Sequence, residues 1–264
     1  MTLLNYKLFL PEDTTAQGET PLIILHGLLG AMDNWRSQAK KLSLLRPVYT
    51  LDLRNHGNSP HLKGMSYREM YEDVLHVAKQ ESLTSFHLLG HSMGGKVAMQ
   101  LALANPSIVK SLTVVDIAPK PYPLWHQKTL QGVLSAPLDD LRTRQEIDDY
   151  LKPWIEDAAE RTFMLKNLKR KEDSKGFIWR CNLSEISRGY LKIAGFTTAL
   201  ATYPEKCLFI KGDLSTYVQE ADTPLIHSLF PAAKIVGLKQ SGHLPHFQEP
   251  DAFFDTLSQF LKNQ

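Results

Sequence analysis

One run constrains this chain more than any other. Phe86-His87-Leu88-Leu89-Gly90-His91-Ser92-Met93-Gly94-Gly95 is an apolar, strand-like segment that stops abruptly at a serine between glycines. A serine on a sharp strand-to-helix turn sits at strained backbone angles, and side chains two positions to either side would collide there. Gly90 and Gly94 remove those collisions. The segment that follows, Lys96 to Ala104, is helix-prone with an apolar face, and Asn105-Pro106 ends it. The spacing therefore predicts Ser92 at a helix N-terminus, with the Met93 N–H free to donate to a developing oxyanion. The pentapeptide alone also occurs in tight packing turns; the strand before it and the helix after it make Ser92 a candidate nucleophile.

The rest of the chain supplies a sheet to carry that turn. Asn5 to Leu10 alternates like a strand, and the polar connection Pro11 to Thr20 suggests a hairpin with the next one. Pro21 to Leu25 is a continuous apolar run, as expected of a central strand covered on both faces. It ends at His26-Gly27-Leu28-Leu29-Gly30, a loop at the carboxyl edge of the sheet, where open α/β sheets put their ligands. Leu28 is the candidate for a second oxyanion donor. Asn34 to Leu45 reads as a helix and Pro47 to Asp52 as a strand. In the following loop, Arg54 and His56 have no spacing that ties them to Ser92 and are read as structural. Ser66-Tyr67-Arg68-Glu69 is a capping box opening a helix to about Gln80. Leu112 to Asp116 is another buried strand, so alternating strands and helices imply right-handed crossovers and a mainly parallel sheet.

At Ala118 to Pro123 this rhythm breaks. Helical periodicity, in Leu138 to Trp154 and Ala158 to Lys171, then runs to about Tyr203-Pro204 without a clear central strand. The expectation is a core of residues 1–118 and 204–264 with a helical cap, 119–203. The basic run Lys166 to Lys171 reads as a solvated helix face, with attraction of an anionic substrate handle as the alternative. Cys207 to Lys211 resumes the sheet, Tyr217 to Leu229 reads as a helix, Ala233 to Leu238 as the last strand, and Asp251 to Leu261 as a closing helix packed by Phe253, Phe254, Leu257 and Phe260.

A serine hydroxyl needs a neighbouring base, and imidazole suits because it titrates near neutrality. A loop after the last strand can bring one over Ser92, and His243 in Ser241-Gly242-His243-Leu244-Pro245-His246 is preferred to His246. Their spacing could suggest metal ligation, but no third His, Cys or carboxylate stands nearby in sequence, so no metal is assigned. The acid that orients the imidazole is Asp116 or Asp213, both at strand ends and both between Ser92 and His243 in chain order.

These runs, with Asp52 to Ser59 and Val115-Asp116-Ile117-Ala118-Pro119, resemble the α/β-hydrolase superfamily over nearly the whole chain, and within it most the YbfF-type bacterial esterases and related mitochondrial ABHD-type hydrolases. The resemblance implies an α/β fold with a mainly parallel sheet and a helical cap inserted after the sixth strand. It also bears on the acid. The superfamily's usual aspartate comes three residues after a glycine matching Gly212, where this chain has Ser215. In YbfF-type members the acid looks to have moved to the position of Asp116, which is therefore preferred. Dehalogenases and epoxide hydrolases of the superfamily carry aspartate where Ser92 stands, so neither activity is expected.

The resemblance implies a carboxylesterase or an acyl-thioesterase, acting on short- to medium-chain acyl esters or on acyl-CoA thioesters, through an acyl-enzyme on Ser92 and with no cofactor. A carbon–carbon bond hydrolase or perhydrolase would use the same serine site. A hydrolase-fold receptor with little turnover is the reading of another class. A net charge of +2 over 264 residues gives no mark of nucleic-acid binding, and no apolar run approaches the roughly 20 residues that cross a bilayer. Two cysteines, Cys181 and Cys207, are too few for a disulfide framework, so a reducing cytoplasm is the default. The sequence carries no marker of oligomeric state.

Overall fold

A computed structural model of the chain describes residues 3–172, 176–197 and 201–262. Strands β1 (Tyr6–Phe9), β2 (Leu22–Leu25), β3 (Val48–Leu51), β4 (Phe86–His91) and β5 (Val109–Val115) come first, and β8 (Cys207–Gly212) and β9 (Ala233–Leu238) close the sheet. The order across the seven strands is β1-β3-β2-β4-β5-β8-β9, parallel throughout except for β1.

The hairpin expected between β1 and β2 does not form. β1 instead runs antiparallel to β3, Tyr6 opposite Leu51. The reason lies in β2, whose Leu-Ile-Ile-Leu is buried on both faces and whose two edges are taken by parallel partners. Asn5 pins β1 to the exit of β3: its carbonyl accepts the Asp52 N–H at 2.9 Å and its amide donates to the Asp52 carboxylate at 2.7 Å.

Alternate residues of β2 feed two cores. Leu22 and Ile24 meet helices α1 (Arg36–Leu42) and α10 (Pro250–Lys262) through Trp35, Leu42, Phe253 and Leu257. Ile23 and Leu25 meet α2 (Tyr67–Gln80) and α3 (Met93–Ala104) on the other side. The α2 capping box is formed, the Ser66 N–H donating to Glu69 at 2.8 Å and the Glu69 N–H to the Ser66 hydroxyl at 3.3 Å. Phe253 and Leu257 are wholly buried, each contributing about 1.5–3 kcal/mol, and tie the C-terminal segment to the sheet.

The chain leaves the sheet after β5, so the insertion follows the fifth strand of this chain and not the sixth. It contains α4 (Gln127–Ser135), α5 (Arg144–Leu151), α6 (Ala158–Leu165) and α7 (Leu183–Ala194), and also a hairpin, β6 (Leu168–Arg170) with β7 (Phe177–Trp179). The helices expected over 138–154 and 158–171 are therefore shorter. Buried Phe177, exposed Ile178 and half-buried Trp179 have a period of two, and the Trp179 indole donates to the Val133 carbonyl at 2.9 Å. Lys169 and Arg170 lie on that hairpin, not on a helix. The helix expected from Tyr217 also starts late: α8 spans Thr223–Leu229 with proline in its first turn, leaving Tyr217 in the loop. The short α9 (Pro245–Gln248) precedes α10. No helix of the described residues is long and apolar enough to cross a membrane.

Candidate active site

The turn between β4 and α3 holds Ser92 at φ 52°, ψ −118°, a conformation that costs a non-glycine residue about 1–3 kcal/mol. The packing explains why glycines flank it. A Cβ on Gly90 would lie 2.1 Å from the Gly94 carbonyl oxygen, and one on Gly94 would lie 2.4 Å from that of His26. The N-terminus of α3 can thus press against the ends of β2 and β4, and the Ser92 N–H is held by the Val115 carbonyl at 3.0 Å.

His243, in the loop after β9, reaches over this turn. The Ser92 hydroxyl donates to its Nε2 at 3.0 Å, and its Nδ1–H donates to Asp116 Oδ2 at 2.8 Å. Asp116 follows β5, is fully buried, and also sits at positive φ, 50°. Its Oδ1 accepts the Gly212 N–H at 3.0 Å, and its Oδ2 accepts the Ser215 hydroxyl. Ser215, standing where the superfamily's usual acid is expected, thus supports the carboxylate that came from β5. Asp213 does not join this chain of bonds. Its carboxylate lies beside Gly237 and pairs with the Lys211 ammonium at 3.1 Å.

His246, the rival base, makes no hydrogen bond to Ser92. It is buried with its ring stacked on Trp35 at 4.0 Å and 11°, and burial first, then the nearby His243, pushes its pKa down to about 3. Its Nδ1 has no partner among the described residues. Arg54 and His56 are structural as expected. Arg54 makes two bonds to Asp73, at 2.6 and 2.8 Å, and the buried His56 donates to the Arg54 carbonyl at 2.9 Å.

The His26 loop is set by its own imidazole. Nδ1–H donates to the Gly27 carbonyl at 2.7 Å while Nε2 accepts the Leu53 N–H at 3.0 Å, which fixes one neutral tautomer, and burial lowers the His26 pKa. Gly27 lies so near the turn that a Cβ there would be 3.3 Å from Ser92 Cβ. Leu28 follows, beside Ser92 and Met93 in the same cavity wall. The Met93 N–H is the first of α3 and has no carbonyl a turn earlier within the helix.

Two residues that hold the histidine were not foreseen. Tyr217 stacks on the His243 ring at 3.7 Å and 15°, its carbonyl accepting the Tyr122 hydroxyl at 2.5 Å. His91 donates from Nε2 to the His243 carbonyl at 2.7 Å. Tyr217 carried only helical periodicity in the sequence, whereas the position of His91 beside the serine was a usable signal.

Space opens on two sides of Ser92. A cavity of about 340 Å³ lies toward His243, Leu244 and α6, and a lobe of about 40 Å³ lies toward Met93, Lys96 and Tyr122. Leu28, Ser92, His126 and Tyr217 line both. His126 is kept neutral by burial, its pKa lowered to about 4, and its Nε2 is 3.1 Å from the Tyr217 hydroxyl. Lys96 closes the small lobe with its ammonium on the carbonyls of Ala194 and Gly195, at 3.0 and 2.8 Å. A half-buried hydroxyl hydrogen-bonded to a supported imidazole at the edge of a cavity forms an arrangement able to perform acyl transfer.

The chain matches known proteins over nearly its full length. A family description, alpha/beta hydrolase fold, matches residues 20–250. The sn-1-specific diacylglycerol lipase ABHD11 of Danio rerio is 36% identical, over 92% of this chain and 78% of that protein. Esterase YbfF of Escherichia coli is 28% identical, over 94% of this chain and 97% of that protein. Among solved structures, a marine microorganism esterase superposes with a TM-score of 0.92 at 38% identity, covering 98% of this chain and all of that one. With the sheet order, the strained serine between β4 and α3, and these matches together, the chain belongs to the α/β-hydrolase fold family.

Proposed function

We propose that this protein is a serine esterase that hydrolyses short- to medium-chain acyl esters, with thioesters in its range, and that Ser92, His243 and Asp116 carry the reaction. The observation that carries the reading is the unbroken path from the Ser92 hydroxyl through both nitrogens of His243 to the buried Asp116 carboxylate. In the first step Ser92 Oγ attacks the acyl carbonyl while His243 Nε2 takes its proton, and Asp116 stabilises the imidazolium. The N–H groups of Leu28 and Met93 hold the tetrahedral oxyanion; one such donor is worth about 2.7–4 kcal/mol in the transition state. His243 then protonates the leaving oxygen or sulfur. In the second step a water, deprotonated by His243, attacks the acyl-Ser92 ester and releases the acid.

A main cavity of about 340 Å³ falls at the small end of ligand sites, which suits short acyl esters. Relatives named as a diacylglycerol lipase and an esterase support an ester substrate. Residues 119–203 act as the cap over this site and the remainder as its core. A reducing cytoplasm suits the two buried free thiols, Cys181 and Cys207.

A fluorophosphonate probe tests the reading together with a panel of esters. Labelling of wild type, loss of labelling in Ser92→Ala, and steady turnover of a short ester are expected. Labelling with no multiple turnover of any ester would favour a ligand-binding receptor on the same fold.

A further inference from the structure

The loop that carries the Leu28 N–H is a tight turn held from two directions. The Gly30 N–H donates to the Gly27 carbonyl at 3.0 Å, and Leu29, the third residue of that turn, has φ 56°. A turn closed in this way with positive φ at its third residue favours glycine or asparagine there. Leucine disfavours the conformation, so the turn is not secured by its own residues. From the core side, the His26 imidazole donates to the same Gly27 carbonyl at 2.7 Å.

The insertion holds the other side. Asn167, in the connection between α6 and β6, is buried, and its side-chain N–H donates to the Leu29 carbonyl at 2.6 Å. Among the described residues no other donor reaches that carbonyl. The amide is itself fixed. Its Oδ1 accepts the thiol of buried Cys181 at 3.4 Å, which leaves Nδ2 for Leu29. The Asn167 main chain is tied as well, its N–H donating to the Met164 carbonyl at 2.9 Å and its carbonyl accepting the Arg180 N–H at 2.8 Å.

These bonds run in series. In a trans peptide unit the C=O and the N–H point in opposite directions. The unit joining Leu29 to Gly30 takes the Asn167 donor on one edge and presents the Gly30 N–H to Gly27 on the other. The unit joining Gly27 to Leu28 accepts that bond on its C=O edge, and its opposite edge is the Leu28 N–H. Leu28 lines both spaces beside Ser92. Two peptide planes thus connect a side chain of the insertion to the main-chain donor, and hydrogen bonds arranged head to tail polarise one another in the same sense.

We propose that Asn167 is a positioning residue for the oxyanion, holding the Gly27–Gly30 turn so that the Leu28 N–H is aimed at the charge that develops beside Ser92. This role rests on the Ser92 hydrolase reading and deepens it: the oxyanion site is complete only with the insertion seated on the core. The aim of that N–H acts on the transition state and little on the bound ester, so it governs kcat more than KM.

A second contact between the insertion and the core supplies the control. The Asn182 side-chain amide donates to Asn55 Oδ1 at 3.1 Å, away from the Gly27–Gly30 turn. Asn167→Asp and Asn182→Asp each keep the side chain's shape and remove its donor. With p-nitrophenyl butyrate, Asn167→Asp should lose at least tenfold in kcat with KM within about threefold, part of the roughly 100- to 1,000-fold that outright loss of an oxyanion donor costs. Its inhibition constant for butyl trifluoromethyl ketone, which adds Ser92 as a tetrahedral oxyanion, should rise by at least as much, while that for hexan-2-ol, which cannot add, stays within about threefold. Asn182→Asp should stay within about threefold of wild type in every measurement. Asn167→Ser, uncharged and too short to reach Leu29, should repeat the Asn167→Asp pattern and serves if the aspartate does not fold. Unchanged kcat in a folded Asn167 variant, equal losses for ketone and alcohol, equal losses in Asn182→Asp, or failure of both Asn167 variants to fold would overturn the positioning role. Wild type separates the two readings: turnover and tight ketone binding with any of those results reject the Asn167 role alone, whereas a wild type that neither turns over the ester nor prefers the ketone to the alcohol rejects the Ser92 reading and this role with it.

Discussion

Replacing Asp116 by asparagine changes one atom and should nearly stop the enzyme. The two carboxylate oxygens accept three hydrogen bonds, from Gly212 N–H at 3.0 Å on Oδ1 and from His243 Nδ1–H at 2.8 Å and the Ser215 hydroxyl on Oδ2. Asparagine keeps one acceptor oxygen. The Gly212 N–H can only donate, so that oxygen stays at the Oδ1 position and the NH₂ faces His243. An NH₂ there donates to Nδ1 and holds the imidazole with its proton on Nε2, the atom that must take the Ser92 proton. The expected loss is about 10⁴-fold in kcat, equivalent to about 5.5 kcal/mol of barrier. Asp213→Asn is the control. It breaks a part-exposed pair with Lys211, worth at most about 1 kcal/mol, and should leave kcat within about twofold. Steady-state hydrolysis of p-nitrophenyl butyrate reads the activity, and a melting temperature for each variant shows that it is folded. A folded Asp116→Asn within tenfold of wild type, with Asp213→Asn inactive, would refute the assignment of the acid.

The histidines and the buried lysine give two further expectations. His246→Ala removes the ring stacked on Trp35 and should cost about 1–3 kcal/mol of stability in chemical denaturation while still being acylated, whereas His243→Ala should fold normally and not be acylated; the opposite pattern exchanges their roles. Burial lowers the Lys96 pKa to about 7, so between there and the unfolded value of about 10.4 the unfolded chain binds more protons, and the lysine's contribution to stability rises with pH by up to about 1.4 kcal/mol per unit. Below pH 7 the full cost of the buried charge is present. Denaturation from pH 6 to 10 should therefore show a steeper rise for wild type than for Lys96→Met, and parallel curves would contradict the burial argument.

How far the sequence could be read depended on the range of the interactions involved. Gly90 clears Gly94 within the turn while Gly94 clears the end of β2, so the turn has a short glycine-serine-glycine signature, and Ser66 with Glu69 encodes a cap spanning three residues; both could be read directly. Asp116 became legible only because Ser215 left the superfamily's usual acid position without a carboxylate, and the bond between the two gives that absence a physical meaning. Other features depended on distant partners. β1 pairs with β3 because of contacts from Asn5 to Asp52, which no local pattern announces. The hairpin β6–β7 is too short for its period of two to stand out beside longer helical runs. Tyr217 reads as the start of a helix until Pro224 sets the first turn of α8 later, and its stacking on His243 joins residues on two separate loops.

The acyl group is expected to pass through a covalent bond to Ser92, which rapid-quench intact-protein mass spectrometry can capture. Wild type mixed with a short acyl ester and quenched within milliseconds should carry one acyl group, located by proteolysis on the peptide containing Ser92, and Ser92→Ala should carry none and turn over no ester. Undiminished ester turnover by Ser92→Ala, or an acyl group on any other residue at the rate of turnover, would rule out Ser92 as the nucleophile.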